Sequence, residues 1–240
     1  MPSSPLRTLS VAALLATTTG ALAEDTIHNR LSEAEERSGW SLLFNGQDLG
    51  GWTGYHPDTP PKDWTIDDGT LHFPGEGGNG SGQDLITEDA YENYELSLDW
   101  KVAEGGNSGI FYLVTPGHDA IYWGAPEMQV LDDANHRDGG DPLTSAGSAY
   151  ALYPAPRGVA KPAGEWNTAR IRIDDGQVTH WLNGEKIVEY QLGSDEWQAA
   201  VDASKFADWE YYGQAERGHI GLQDHGDPVW FRNIKIREFE

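Results

Sequence analysis

Along most of this chain apolar and polar residues alternate in short runs, the pattern of strands with one face buried. The cleanest run is 94–102, where Tyr94, Leu96, Leu98 and Trp100 fall on one face and Glu95, Ser97, Asp99 and Lys101 on the other. Residues 40–44, 64–66, 71–73, 85–87 and 107–114 read as further strands, with Gly69 supplying the positive φ that the tight turn before Leu71 requires. Beyond Trp166 the runs 169–173, 178–182 and 186–190 are separated by Asp174-Asp175-Gly176 and Asn183-Gly184, which predicts a three-strand meander. Residues 218–223 and 229–239 close the set. Helix is expected only at 31–37 and over 194–209, where Ser194 is placed to cap. Many short strands, tight turns and little helix predict an all-β sandwich of two antiparallel sheets.

Two runs carry chemistry on their polar faces. In 127–131 Glu127 and Gln129 point one way and Met128 and Val130 the other. In 218–226 Ile220 and Leu222 share one face, and His219, Gln223 and His225 share the opposite one. Side by side over one core, two such strands would line a polar floor, and Asn107 opens a strand that can sit at a sheet edge. Amides, a carboxylate and imidazoles, with little Lys, Thr or Ser, suit a sugar-binding surface better than a solvated sheet. The turn-rich stretch 132–148 is where a site wall would be. Ten Trp and ten Tyr divide between core and surface, and exposed rings near the floor would be stacking platforms for sugars. His136 and His180 read as loop and hairpin surface residues.

Composition narrows the setting. Residues 1–23 combine Arg7, an apolar run at 11–16 and the small-residue exit Ala21-Leu22-Ala23, the pattern of a secretory signal peptide cleaved before Glu24. The apolar run is too short to span a bilayer. Residues 24–37 then form a leader and 38–240 a single domain. Cysteine is absent, so neither a disulfide nor a lipid-anchored thiol is expected, and the mature chain should be periplasmic or secreted. A formal net charge of −23 repels nucleic acid and anionic lipid and points to a neutral carbohydrate as partner. The glycine-rich stretch 75–82 lacks the Lys-Ser/Thr pair of a phosphate cradle and reads as a flexible loop.

The segments Leu43-Phe44-Asn45-Gly46, Gly106-Asn107-Ser108-Gly109-Ile110, Glu127-Met128-Gln129-Val130-Leu131-Asp132, Lys161-Pro162-Ala163-Gly164-Glu165-Trp166-Asn167, Leu182-Asn183-Gly184, Gly218 through Gly226, and Phe231-Arg232-Asn233-Ile234 follow one another in order. Together they resemble the 3-keto-disaccharide hydrolase family over residues 38–239. The resemblance implies a concanavalin-like jelly-roll sandwich acting on 3-keto-glycosides outside the cytoplasm. One departure is Leu113, where many members of the family carry Arg.

A ketone at C3 of a sugar acidifies the hydrogen on C2, so a base can remove it and the C1 oxygen can leave without an oxocarbenium ion. Water then adds at C1. Under this reading Glu127 and His225 are the candidate base and acid, in either order. Asn107, Gln129, Gln223 and Arg232 can donate to the ketone, its enolate or ring hydroxyls, and Asp132 can orient an imidazole or hydroxyl. The plain structural readings are that Arg232 pairs with a carboxylate and that Asp132 caps a turn. No cofactor is assigned from the sequence; a divalent metal held by Glu127, Asp132 or His136 would serve as an enolate clamp, though no ligand spacing here is diagnostic. Two alternatives stand beside it. A retaining glucanase would carry Glu-x-Asp-x-x-Glu, and here the middle and last acids read Gln129 and Asp132. A non-catalytic carbohydrate-binding module would use the same groups for hydrogen bonding alone.

Overall fold

In the computed structural model residues 1, 28–56, 61–75 and 83–239 are described; residues 2–27, which include nearly all of the stretch expected to be a signal peptide, and most of the glycine-rich loop lie outside them. The strands are β1 (Trp40–Leu42), β2 (Trp52–Gly54), β3 (Thr65–Asp67), β4 (Thr70–Phe73), β5 (Leu85–Thr87), β6 (Tyr94–Val102) and β7 (Asn107–Val114). They continue with β8 (Glu127–Leu131), β9 (Asn167–Asp174), β10 (Gln177–Leu182), β11 (Glu185–Gln191), β12 (His219–Leu222) and β13 (Val229–Glu238). The larger sheet runs β11-β10-β9-β6-β13-β4-β3, with β1 also on β13, and the smaller runs β2-β5-β12-β7-β8. Every pairing between these strands is antiparallel. The architecture is the two-sheet antiparallel sandwich that the alternation predicts, with the jelly-roll form that the family resemblance implies.

The inner faces of the two sheets meet in one core where Tyr94, Leu96, Leu98 and Trp100 of β6 pack with Leu71, Phe73 and Phe231. Each such side chain contributes on the order of 2 kcal/mol through burial. The hairpin turns follow their sequences: Asp68 and Gly69, Asp175 and Gly176, and Asn183 and Gly184 are paired positive-φ positions. The outer face of β6 is less solvated than alternation suggests. Glu95 is buried there between Arg170 and Arg237, whose guanidinium nitrogens donate to it at 3.2 and 2.9 Å.

The chain ahead of the first strand is tied to the sheet. Asn29 and Asn233 exchange backbone-to-side-chain hydrogen bonds of 2.7 and 2.8 Å, and Ser32 with Glu35 forms a capping box on the short helix α1 (Glu33–Arg37). The second helix, α2 (Asp195–Asp202), is capped by Ser194 as expected but stops well short of residue 209. Ser204 ends it: its hydroxyl donates to Val201 O and accepts from Phe206 N, so residues 203–213 run on as turns.

His180 is not a surface residue. β10 lies between β9 and β11, and the inward side of His180 is fully buried, with Nδ1 donating to Gly147 O and Nε2 accepting from the Tyr112 hydroxyl, both at 3.1 Å. Burial holds its pKa down at about 4, so it is a neutral core hydrogen-bonder. No helix among the described residues is long and apolar enough to cross a membrane.

Candidate active site

The outer face of the smaller sheet forms the floor of a cavity of about 470 Å³. Glu127 and Gln129 of β8 line it, while Met128 and Val130 between them enter the core. Asn107 from the start of β7 and Gln223 and His225 from the chain just past β12 line it too. The polar floor is therefore built as its strands predict. Ser108 fastens the two sides, its hydroxyl donating to Gln223 O at 2.8 Å while Gln223 N donates to Gly109 O at 3.0 Å.

Gly109 is required by what lies over it. A Cβ there would come within 2.8 Å of the Glu127 Cδ, so the carboxyl is laid across bare backbone. Asn107 is two residues further along the same strand, and its Nδ2 lies 3.3 Å from His225 Nε2. Gly109 and Asn107 are roughly 7 Å apart along the strand, so the carboxyl and the imidazole stand over successive positions of the same strand face.

The wall is the expected stretch 132–148 and its continuation. After η1, a 3₁₀ turn at Arg137–Gly140, the chain returns beside β8: Gly147 N donates to Gln129 O, Gln129 N to Ser148 O, and Tyr150 N to Glu127 O, at 2.8, 3.1 and 3.0 Å. This covers the open edge of β8 and shuts water away from Glu127. Burial pushes the Glu127 carboxyl up to about 8, with the charge of Asp84 adding to the effect and that of Lys205 opposing it. Lys205 is the only Lys or Arg among the described residues lining the cavity. Lys205 is an exposed residue at the cavity, and its ammonium stands 4.2 Å from the centre of the Tyr150 ring, where desolvation lowers its pKa against the pull of Glu127.

Asp84 lines the cavity opposite. It accepts from Asp224 N at 2.8 Å, and burial, with Asp224 nearby, pushes it up to about 7. His225 is held below its ordinary value by burial, against the pull of Asp227, whose carboxylate is 3.9 Å from Nδ1. Asn107 Oδ1 and Gln223 Oε1 are buried with no hydrogen-bond partner among the described residues, which leaves acceptors ready for ligand hydroxyls.

Other expected site residues lie elsewhere. Arg232 is on β13 of the larger sheet, where it pairs with Asp99 at 3.4 Å and stacks 3.9 Å from the Trp166 ring. Asp132 is spent on turn backbone: it accepts from Gly105 N, Ala134 N and Asn135 Nδ2 at 2.8, 3.2 and 2.8 Å. His219 does not join Gln223 and His225, because a register irregularity before Gly221 breaks the alternation and its Nδ1 donates to Thr87 O at 2.7 Å. His136 accepts from Asp138 N and caps the 3₁₀ turn. Leu113 is in the core and lines no part of this cavity. Glu127, Asp132 and His136 thus do not converge, and no cluster of three or more His, Cys, Asp or Glu suited to a metal ion occurs among the described residues.

Comparison with known proteins places this arrangement. The model of the 3-keto-alpha-glucoside-1,2-lyase-like domain matches residues 39–237, nearly the whole sandwich. The chain belongs to that family. A 3-keto-disaccharide hydrolase of Bacteroides thetaiotaomicron is 42% identical, covering 84% of this chain and 79% of that protein. A crystal structure of a candidate glycosyl hydrolase from Parabacteroides distasonis superposes with a TM-score of 0.82 at 34% identity, over 89% of this chain and all of that one. A second such structure from the same organism gives 0.64 at 31% identity, over 83% of this chain and 99% of the other. In this member of the 3-keto-alpha-glucoside-1,2-lyase-like family, the residues that sequence reasoning missed, Asp84, Lys205 and the aromatic side chains of the turns after α2, sit in segments without strand alternation.

Proposed function

We propose that this hydrolase-type, glycoside-cleaving enzyme acts on 3-keto-glycosides by elimination across C1 and C2, with Glu127 as the base. The observation that carries the reading is a buried carboxyl, raised to about 8, in a sugar-sized polar pocket. Abstraction of a carbon-bound proton needs a basic group, and Glu127 at about 8 is a stronger base than His225, held below 6.5.

The Glu127 carboxylate takes the C2 proton, and the C–H electrons pass into a C2–C3 enolate whose oxygen is stabilised by the Lys205 ammonium and amide donors. The enolate reforms the ketone as the C1–C2 double bond forms and the C1–O bond breaks. The departing oxygen takes a proton from the imidazolium form of His225, which Asp227 favours. Water then adds to C1, giving its proton to His225, while Glu127 returns a proton to C2. The net change is hydrolysis, with no redox step.

The glucanase alternative is weakened because Asp132 faces a turn, leaving β8 one carboxyl in the pocket. The test is incubation with a 3-keto-disaccharide and its unoxidised parent in D₂O. The expected result is cleavage of the keto sugar alone, with deuterium at C2 of the released keto sugar. Cleavage of the parent would establish the glucanase reading, and binding without turnover the module. Export directed by residues 1–23 is part of the same proposal and is read by fractionating cells for the processed chain.

A further inference from the structure

A second buried carboxyl lines the cavity, and the proton transfers assigned to Glu127 and His225 do not use it. Asp84 is 8% exposed and immediately precedes β5. β12 pairs with β5 on one side and β7 on the other, and its Leu222 lies opposite both Leu85 and Ile110. One residue further, Gln223 therefore falls between Asp84 and Gly109. Two hydrogen bonds hold that row: Asp224 N donates to Asp84 Oδ1 at 2.8 Å, and Gln223 N to Gly109 O at 3.0 Å. Asp84 and Gly109 stand two strand spacings apart, roughly 10 Å. Because the Glu127 carboxyl lies over Gly109, the two carboxyls face the cavity from opposite sides of Gln223.

The acceptors on this side of Glu127 are unfilled. Burial, and after it the charge of Asp224, push Asp84 up to about 7, with the bond from Asp224 N opposing them and no cation contributing. On the same floor Asn107 Oδ1 and Gln223 Oε1 are buried with no partner among the described residues. A desolvated carboxyl beside unpartnered amide oxygens calls for donors, and a neutral sugar brings them as hydroxyls. From Glu127 the floor opens toward Asp84, because residues 147–150 close the edge of β8 on the other side.

We propose that Asp84 is a specificity-determining residue whose carboxylate accepts hydrogen bonds from the C4 and C6 hydroxyls of the keto sugar. The proposal rests on reading the pocket as a 3-keto-glycoside site, with C2 at Glu127 and the C1 oxygen at His225. Glu127 lies over Gly109 and His225 beside Asn107, so the C1–C2 edge of the ring runs along β7. The opposite edge of a pyranose is C4–C5. In a ring extended over Gln223 that edge meets β5, where Asp84 stands, and it carries the C4 hydroxyl and the C6 hydroxymethyl. One carboxylate has acceptor sites for both, and a buried group built to bind a hydroxyl discriminates against a substrate that lacks it.

The experiment measures kcat/KM at pH 8 for methyl 3-keto-glucoside and its 4-deoxy and 6-deoxy forms, with the parent protein and with Asp84→Asn. Asn keeps an oxygen for Asp224 N, so the chain past β12 stays anchored. In the parent, removal of either hydroxyl should lower kcat/KM about tenfold or more, through KM. Asp84→Asn should lower it by a similar factor on the full substrate, and in the variant each deoxy substrate should lose less than about threefold further, since the partner of the missing hydroxyl is already gone. Losses that multiply, with the variant impaired equally on all three substrates, would overturn the proposal and leave Asp84 a backbone anchor. Undiminished turnover of both deoxy substrates by the parent would overturn it without the variant. A parent protein that cleaves none of the three would instead reject the keto-glycoside reading on which the proposal rests.

Discussion

Replacing Glu127 by Gln should inactivate the protein and stabilise it, by an amount that grows with pH. In the folded chain Glu127 is 7% exposed and its carboxyl pKa is raised from an ordinary 4.5 to about 8. A group whose pKa is raised on folding contributes stability that is fully present below its unfolded value and is lost as pH rises through its folded value. At 1.36 kcal/mol per unit, the native state forfeits about 1 kcal/mol at pH 5, about 3 at pH 7 and about 5 at pH 9, relative to a side chain that never ionises. Gln has the shape of the neutral acid and no such charge, so the difference between the variant and the parent should follow this curve. For a chain of this size about 3 kcal/mol corresponds to roughly 6–12 °C in Tm. Urea unfolding at pH 5, 7 and 9, paired with turnover of a 3-keto-disaccharide, reads both halves. The slope with pH matters, since any packing difference between Gln and Glu is constant across it. A flat difference, or a variant less stable than the parent at pH 9, would mean that a cation neutralises the carboxylate in the fold, and the desolvated base would be lost with it.

Kinetics offer an independent reading of the same group: with C2 proton abstraction as the first irreversible step, ahead of the proton His225 gives the leaving oxygen, kcat/KM should climb about tenfold per pH unit below about 8 and then level, whereas a plateau already reached by pH 7 would make His225 the base. Gly109→Ala should cut kcat/KM on the order of a hundredfold, because the new methyl takes the space of the Glu127 carboxyl; full activity would place Glu127 outside the chemistry. Lys205→Met removes the opposing positive charge, so the rising limb should move to higher pH and kcat should fall; an unmoved limb would separate Lys205 from Glu127. Asp132→Ala should lower stability by about 1–3 kcal/mol in urea through the loss of its turn hydrogen bonds, with KM for the keto sugar within about twofold of the parent; a large KM change with intact stability would return Asp132 to the site.

What could be read from the sequence and what could not divide along a physical line. Period-two alternation decides which face of a strand a side chain occupies, and it placed Glu127, Gln129, Met128 and Val130 on their proper sides. Alternation does not decide which sheet a strand joins. Arg232 faces outward as its strand requires, but β13 pairs with β6 in the larger sheet, so its outward face is remote from the pocket. That pairing joins residues more than a hundred positions apart and leaves no local trace. His180 misled for a related reason: its hairpin is visible, but the packing that buries its inward face is long-range. Asp84 precedes a three-residue strand too short to show a period, and Lys205 and Trp209 lie in turns that the helical pattern of 194–209 overran.

The wall links the fold to the chemistry. β8 is the last strand of its sheet, and an uncovered edge would hydrate Glu127 and leave it an ordinary carboxylate. Residues 147–150 return along that edge with hydrogen bonds to Glu127 and Gln129 themselves, so the backbone that closes the sheet also desolvates the side chain. Gly109 supplies the other condition, room for the carboxyl to lie over the sheet and toward the sugar. The basicity of Glu127 therefore depends on two neighbouring segments that carry no catalytic group. A ketone-bearing substrate suits such a base, because a proton made acidic by a carbonyl yields to one strong base where an ordinary glycosidic bond requires a nucleophile and an acid together.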